Sequence, residues 1–243
     1  MSHESLQSDG AEAIVLRTVP WRDHDLIVDL LTLDHGQMTL VARGARRSTR
    51  RFGGALDQGT RIRMEISASR KGRASLTSCD VLMPIRTARQ DLGRITHLNY
   101  VLELARIGAQ PESADPELFS MLVQYLDALE QAPASMEGLV AWELRLLAHL
   151  GYQLYLARCV GTGGMPNGLS LSSGGAVDAR VCPATDVVRV PTPGLKTLWQ
   201  LSEGDVSARF APAHVPAVRR ALDAIWTSVA GRPLRTASFL VGW

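Results

Sequence analysis

Between Asp23 and His35 the chain places six side chains able to bind metal or move protons: Asp23, His24, Asp25, Asp29, Asp34 and His35. Asp23, Asp25 and Asp29 share strand parity, and carboxylates on one face are what a two-metal phosphoryl-transfer site uses. That chemistry needs the carboxylates to converge within a few ångströms. Here they span a turn, a strand and a second turn, places where aspartate serves ordinary local hydrogen bonding. Turn formation and solvent-facing strand positions are the plainer assignment. No G-x-x-x-x-G-K-[ST] phosphate loop occurs. The pairs Gly53–Gly54, Gly163–Gly164 and Gly174–Gly175 lack the strand-to-helix context of a dinucleotide site, and no serine, histidine and aspartate stand in triad order. An enzyme is not expected.

The cationic chemistry is stronger. Arg43 to Arg51 reads R-G-A-R-R-S-T-R-R, with Arg43, Arg46, Arg47, Arg50 and Arg51 and no acid. Extending the window to Arg73 adds Arg61, Arg63, Arg70, Lys71 and Arg73 against only Asp57 and Glu65, a window charge of +8 in a chain of +2. Everything outside the window therefore sums to −6, and charge concentrated in this way is the footprint of a phosphate-backbone binder. The alternative is a solvated loop whose arginines keep a glycine-rich turn soluble. Lys71 and Lys196 are the only lysines. Arginine forms bidentate phosphate contacts and stacks on bases, which lysine does poorly. Trp21 and Phe52 lie near the window as candidate stacking residues, although aromatic content is only 5%, low for a stacking platform.

These residues need a scaffold, and the hydrophobic pattern supplies one. Residues 1–10 are polar and aperiodic, a disordered lead-in without the basic and apolar regions of a signal peptide. Strand-like runs follow at Ala13–Leu16, Leu26–Leu33, Met38–Ala42, Thr60–Ile66 and Ala74–Met83, separated by turn residues at Pro20–Asp23 and Asp34–Gly36. In the fourth, Ile62, Met64 and Ile66 share one face and Arg61, Arg63 and Glu65 the other. Five short strands without an intervening helix predict a small OB-like barrel over 11–83, of the kind that binds oligonucleotides. After Pro84 the period becomes helical: Ile95, Leu98, Val101, Leu102 and Ala105; then Leu118 to Leu129 behind an Asp115 cap and Pro116; then about Ser135 to Leu150, ended by Gly151. A helical domain over 84–157, a Gly/Ser-rich insert over 158–192 and a helical segment over 193–243 complete an α+β, multidomain chain. No apolar run approaches membrane-spanning length. Cys79, Cys159 and Cys182 are too few and scattered for a disulfide framework. A cytoplasmic protein is expected, with Cys79 a buried strand residue rather than a reactive thiol.

Four stretches, taken in order, resemble the bacterial DNA repair family RecO. They are Asp23 through Leu31-Thr32 and Gly36 to Val41-Ala42-Arg43-Gly44-Ala45-Arg46-Arg47; Phe52-Gly53-Gly54-Ala55-Leu56; Trp142-Glu143-Leu144-Arg145-Leu146-Leu147-Ala148-His149-Leu150-Gly151-Tyr152 leading to Cys159; and Gly231-Arg232-Pro233-Leu234-Arg235-Thr236. The resemblance implies an N-terminal OB-fold and a helical domain interrupted by a zinc-binding insert. It also implies recombination mediation in the RecF pathway: binding single- and double-stranded DNA, annealing complementary strands, engaging the acidic C-terminal tail of single-stranded-DNA-binding protein and, with RecR, helping to load RecA. Many members carry two CxxC pairs in the insert, a four-cysteine zinc site of structural type. This chain keeps Cys159 and Cys182 but has Thr162 and Ala179 at the other two positions. The expectation is a degenerate zinc-finger-like insert with no zinc and no other cofactor, held by packing or partly mobile, with a Cys159–Cys182 disulfide as the alternative in spite of a reducing cytosol. A pocket for the partner's tail needs an apolar groove rimmed by arginine, for which Arg106, Arg145 and Arg158 are available. The rival readings are an RNA-binding OB module and a non-catalytic scaffold that docks acidic proteins.

Overall fold

Alternation of apolar and polar residues builds the first part of the molecule, in a computed structural model that describes residues 9–67 and 74–240. β1 (Asp9–Trp21), β2 (Asp25–Thr32) and β3 (Gly36–Ala42) form an antiparallel meander, followed by one helical turn, α1 (Thr49–Phe52), then β4 (Arg61–Ser67) and β5 (Ser75–Met83). The strands close in the order β1-β2-β3-β5-β4. Closure works because β1 is long and irregular between Val15 and Arg17, so one half pairs with β4 and the other follows β2. The β3–β5 seam is parallel and short, with Val41 beside Ser75 and Ala42 beside Leu76. Ile62, Met64 and Ile66 point into the barrel as the alternation requires, with Val15, Leu30 and Leu40 in the same core. The lead-in expected over 1–10 ends sooner, since Asp9 and Gly10 already belong to β1; residues 1–8 lie outside the described residues. The first turn also shifts, because β1 runs through Pro20 and Trp21 and leaves Arg22–His24 to reverse the chain.

Two compact units result, Met1–Pro133 and Ala134–Trp243. The segment 84–157 is thus shared between them. In the first unit α2 (Leu92–Gly108) and α3 (Pro116–Gln131) join the barrel. Asp115 caps α3 by accepting the Leu118 N–H, as its position before Pro116 predicts. α2 is buried on nearly every face, His97, Tyr100 and Glu103 included, which its apolar stripe alone does not reveal. Reciprocal bonds fix the chain entering α2. The Glu130 carboxylate accepts the N–H groups of Arg86, Thr87 and Ala88 at 2.9–3.2 Å, and Arg94 Nη1 donates to the carbonyls of Leu129 and Glu130. Arg94 thereby satisfies carbonyls that the end of α3 leaves open.

The second unit contains α4 (Met136–His149), a small sheet β7-β6-β8 made of β6 (Gly168–Ser170), β7 (Gly175–Val177) and β8 (Val188–Arg189), then α5 (Thr192–Ser202) and α6 (Val215–Ala230). α4 starts at a Ser135 cap and Gly151 follows its end. Val218, Leu222, Ile225 and Trp226 line the inward face of α6 as their spacing predicts. One polar element crosses this core. Glu143 of α4, with no exposed surface, receives Arg219 of α6, whose Nη2 also reaches Asp223 at 2.8 Å. Among the described residues no helix is long and apolar enough to cross a membrane.

Candidate nucleic-acid interface

The arginine stretch is folded as a hydrogen-bonded turn. β2 and β3 end their ladder at Leu26 opposite Ala42. Beyond that rung the Gly44 N–H donates to Asp25 Oδ1 at 2.8 Å, and the Arg46 N–H to the His24 carbonyl at 3.1 Å. Gly44 sits at φ +65°, and its carbonyl accepts from Arg47 and Ser48, which closes the turn. Ser48 then caps α1 through the Arg51 N–H. Two guanidiniums brace the turn from outside, Arg46 Nη1 on the Asp23 carbonyl and Arg51 Nη2 on the Arg43 carbonyl. All five arginines, Arg43, Arg46, Arg47, Arg50 and Arg51, remain exposed.

The rest of the basic window is less uniform. Arg61 is spent on an ion pair with Glu12 of β1, so it is not an open cation. Arg63 is exposed on β4, but its cross-strand neighbours are Glu12 and Asp80. Arg70, Lys71 and Arg73 lie outside the described residues. The strand ends that bracket them, Ser67 and Ser75, pair with each other, and Ser75 also pairs with Val41, two residues before Arg43.

The two candidate stacking residues separate. Trp21 ends β1 and is 45% exposed, available to a ligand. Phe52 is 3% exposed and belongs to the barrel core. A ring turned into the core has no face left for a base, so Phe52 is corrected to a core residue; burying it contributes about 2–3 kcal/mol to the fold. The Arg51 guanidinium lies 5.0 Å from its ring centroid. Sequence order put Phe52 among the arginines, but α1 turns it the other way. Arg22, exposed at φ +54° in the turn beside Trp21, is a further cation that the charge window missed because it precedes the strand pair β2–β3.

The acidic cluster makes turns and braces. Asp25 holds Gly44, and the His35 N–H donates to Thr32 Oγ1 across the β2–β3 turn. Asp29 departs from the solvent-facing expectation: it accepts from Thr39 at 2.8 Å and pairs with Arg106 of α2 at 3.6 Å. Among the described residues no three His, Cys, Asp or Glu side chains converge as a metal-ligand set. The three cysteines are free thiols. In the insert, Cys159 Sγ accepts the Asp178 N–H at 3.1 Å. A hydrogen bond from the Thr162 hydroxyl, opposed by burial and aided by the Thr162 and Asp178 N–H groups, holds this thiol below its usual range. Burial, with the charge of Asp80, pushes Cys79 up to about 12. Thr162 is thus spent on sulfur and Ala179 carries no donor, so the insert does not fit a closed zinc site. It is held by more than packing. Asp186 takes the Ser170 and Ser172 hydroxyls and the Ser172 N–H at 2.6–2.9 Å, and the β7 backbone brackets Tyr155 through Tyr155 N–Gly174 O and Ala176 N–Tyr155 O.

A groove of about 620 Å³ opens in the second unit. Ala141, Leu144 and Ala148 of α4 line it with Leu154 to Ala157 and with Trp199 and Leu201 of α5; Arg145 and Glu203 stand among its polar residues. Of the three arginines considered for a tail pocket, Arg145 lines this groove, Arg106 belongs to the first unit and pairs with Asp29, and Arg158 is exposed one residue beyond the lining.

Comparison with known proteins divides the chain at the end of the barrel. The model of the recombination protein O N-terminal domain covers residues 9–85, and that of the C-terminal domain covers 89–237. The DNA repair protein RecO of Myxococcus xanthus is 34% identical over 94% of this chain and 95% of its own length. That of Anaeromyxobacter sp. strain K is 36% identical over 93% of each chain, and that of Pelobacter propionicus 33% over 97% of each. Identity at this level, spanning both the barrel and the helical unit, leaves one assignment: the chain belongs to the RecO family of DNA repair proteins.

Proposed function

We propose that this chain is a non-catalytic recombination mediator that binds single- and double-stranded DNA through the arginine turn of its barrel. The observation that carries this reading is the turn itself: five exposed arginines, held on a hydrogen-bonded frame, in a barrel whose first strand ends on an exposed tryptophan. Guanidiniums in this setting neutralise backbone phosphates without reading sequence, and binding of that kind is strongly salt-dependent. Neutralising charge on two strands at once lowers their mutual repulsion, which is a physical route to annealing. Trp21 supplies one stacking face for an unpaired base, and Arg63, Arg70, Lys71 and Arg73 extend the track.

The groove beside Arg145 suits the acidic C-terminal tail of single-stranded-DNA-binding protein, with Leu144 and Trp199 covering an apolar end group and Arg145 facing its carboxylates. Together with RecR, a protein binding DNA in one unit and that tail in the other helps to load RecA onto coated strands in the cytoplasm, at the nucleoid. The test is fluorescence anisotropy of a labelled single strand across a salt series. The native protein is compared with a variant carrying Arg46, Arg47, Arg50 and Arg51 changed to alanine. The variant binds much more weakly, and its log–log slope flattens by roughly two to three units, at about 0.7 per phosphate contact. Equal binding by the two proteins removes the turn from the DNA track. Tighter binding to RNA of the same sequence selects an RNA module instead. Absence of any nucleic-acid binding at moderate salt selects a scaffold for acidic proteins.

A further inference from the structure

Asp25 sets a carboxylate against the base of the arginine turn, where charge alone says it weakens attraction for a polyanion. Its geometry says something else. The bond from the Gly44 N–H to Asp25 Oδ1 adds a rung just past Leu26 and Ala42, the last backbone pair of β2 and β3. Gly44 is the residue from which the turn is folded, because its carbonyl takes both the Arg47 and Ser48 N–H groups. The two residues before Asp25 hold the same turn through their carbonyls, Asp23 on the Arg46 guanidinium and His24 on the Arg46 N–H.

We propose that Asp25 is a positioning residue for nucleic-acid binding: its carboxylate anchors Gly44, and so presents the arginine turn as a preformed cationic surface. This rests on the reading of that turn as the DNA track. An anchored turn has less conformational freedom to lose on binding, which offsets the repulsion that the carboxylate adds.

The experiment compares Asp25→Asn and Asp25→Ala with the native full-length chain. Asparagine keeps an acceptor oxygen and drops the charge; alanine drops both. Anisotropy with a labelled single strand is read across a salt series, and limited trypsin digestion of the DNA-free protein reads cleavage after Arg46 and Arg47. Expected are native or slightly tighter binding by Asp25→Asn, about three- to ten-fold weaker binding by Asp25→Ala, the size of one ordinary hydrogen bond, and faster cleavage in Asp25→Ala alone. Circular dichroism confirms that both variants fold; Asp25→Asn carries the comparison if the alanine variant does not, since native affinity with a native digestion rate then supports the proposal and any loss overturns it. Equal tightening in both variants makes Asp25 a mere repulsive charge and overturns the proposal, as does unchanged cleavage. Accelerated cleavage with unchanged DNA affinity shows a positioned turn that is not the DNA track; that sinks the functional reading and the proposal with it.

Discussion

The arginine turn of the barrel and the groove of the C-terminal unit are two opposite ways of building a binding surface. The turn uses nine consecutive residues, keeps its guanidiniums in water and takes its order from hydrogen bonds to one neighbouring turn. The groove draws on α4, the 153–157 segment and α5, and its lining is mainly apolar. The first attracts through charge, acts over about 10 Å at 0.1 M salt and is indifferent to ligand sequence. The second adds shape and desolvation at contact, so its dependence on salt should be shallower. On the proposed reading a polyanion and an acidic peptide are held by different physics, so the two affinities should respond to different perturbations.

The largest separation is expected from the core under the groove. Arg219→Ala takes the guanidinium from the Glu143 carboxylate, which has no exposed surface, at a cost of about 3–5 kcal/mol. Chemical denaturation of the full chain should show that loss in the second unit, with peptide binding falling alongside it. Replacing both partners by leucine should recover much of the stability, because a buried ion pair gains little over apolar packing. DNA affinity and its salt slope should stay native wherever the variant is folded. A matching loss of DNA binding would mean the two surfaces are not independent.

A smaller effect is expected at the groove itself. Ala148 lines it and is exposed, so Ala148→Glu adds a like charge for an acidic tail without disturbing the core. Calorimetric titration with an acidic, phenylalanine-ended peptide should show affinity lower by about tenfold, since one misplaced charge in a partly desolvated site costs on the order of 1–2 kcal/mol. Anisotropy with DNA should not move. Native peptide affinity would place the tail elsewhere.

The same contrast explains what the sequence makes legible. The barrel follows from period-two alternation: Ile62, Met64 and Ile66 are inward because nothing competes with the pleat. Asp115 and Ser135 mark helix starts because capping is a contact across three residues. The turn's charge is equally local and reads directly from composition. Orientation within the turn does not. Phe52 follows Arg51, yet α1 points one at the core and leaves the other in solvent. Partners distant in sequence are silent too. Nothing near Asp29 announces Arg106, and nothing near Arg61 announces Glu12, because each pair depends on which strands and helices become neighbours. The groove is the extreme case. Its lining residues look like ordinary helix positions until α4, α5 and the bracketed Tyr155 segment are brought together.

The smallest predicted effect separates the surfaces by pH. In the insert, burial pushes the Asp186 carboxyl up, but hydrogen bonds from the Ser172 hydroxyl and N–H and from the Ser170 hydroxyl outweigh it and bring it down to about 2 from 3.8. A carboxyl depressed in the folded state contributes stability that is complete above its unfolded value. That contribution is lost as pH falls from near 4 towards 2. Asp186 is exposed, so solvent screening limits it to about 1 kcal/mol or less. The turn held by Asp186 ends at Gly174 and leads into Ala176 of β7, whose backbone groups bracket Tyr155 at the groove. Protection of the Ala176 amide, taken relative to the intrinsic exchange rate at each pH, should therefore fall on acidification through this window, and in Asp186→Asn it should be lower at neutral pH and nearly flat below it. The arginine turn has no such dependence on its own cations, since guanidiniums stay charged throughout. Protection at Ala176 that ignores both pH and the substitution would mean that the β6–β7 ladder alone holds the groove wall, and that Asp186 decorates a turn already fixed by its backbone.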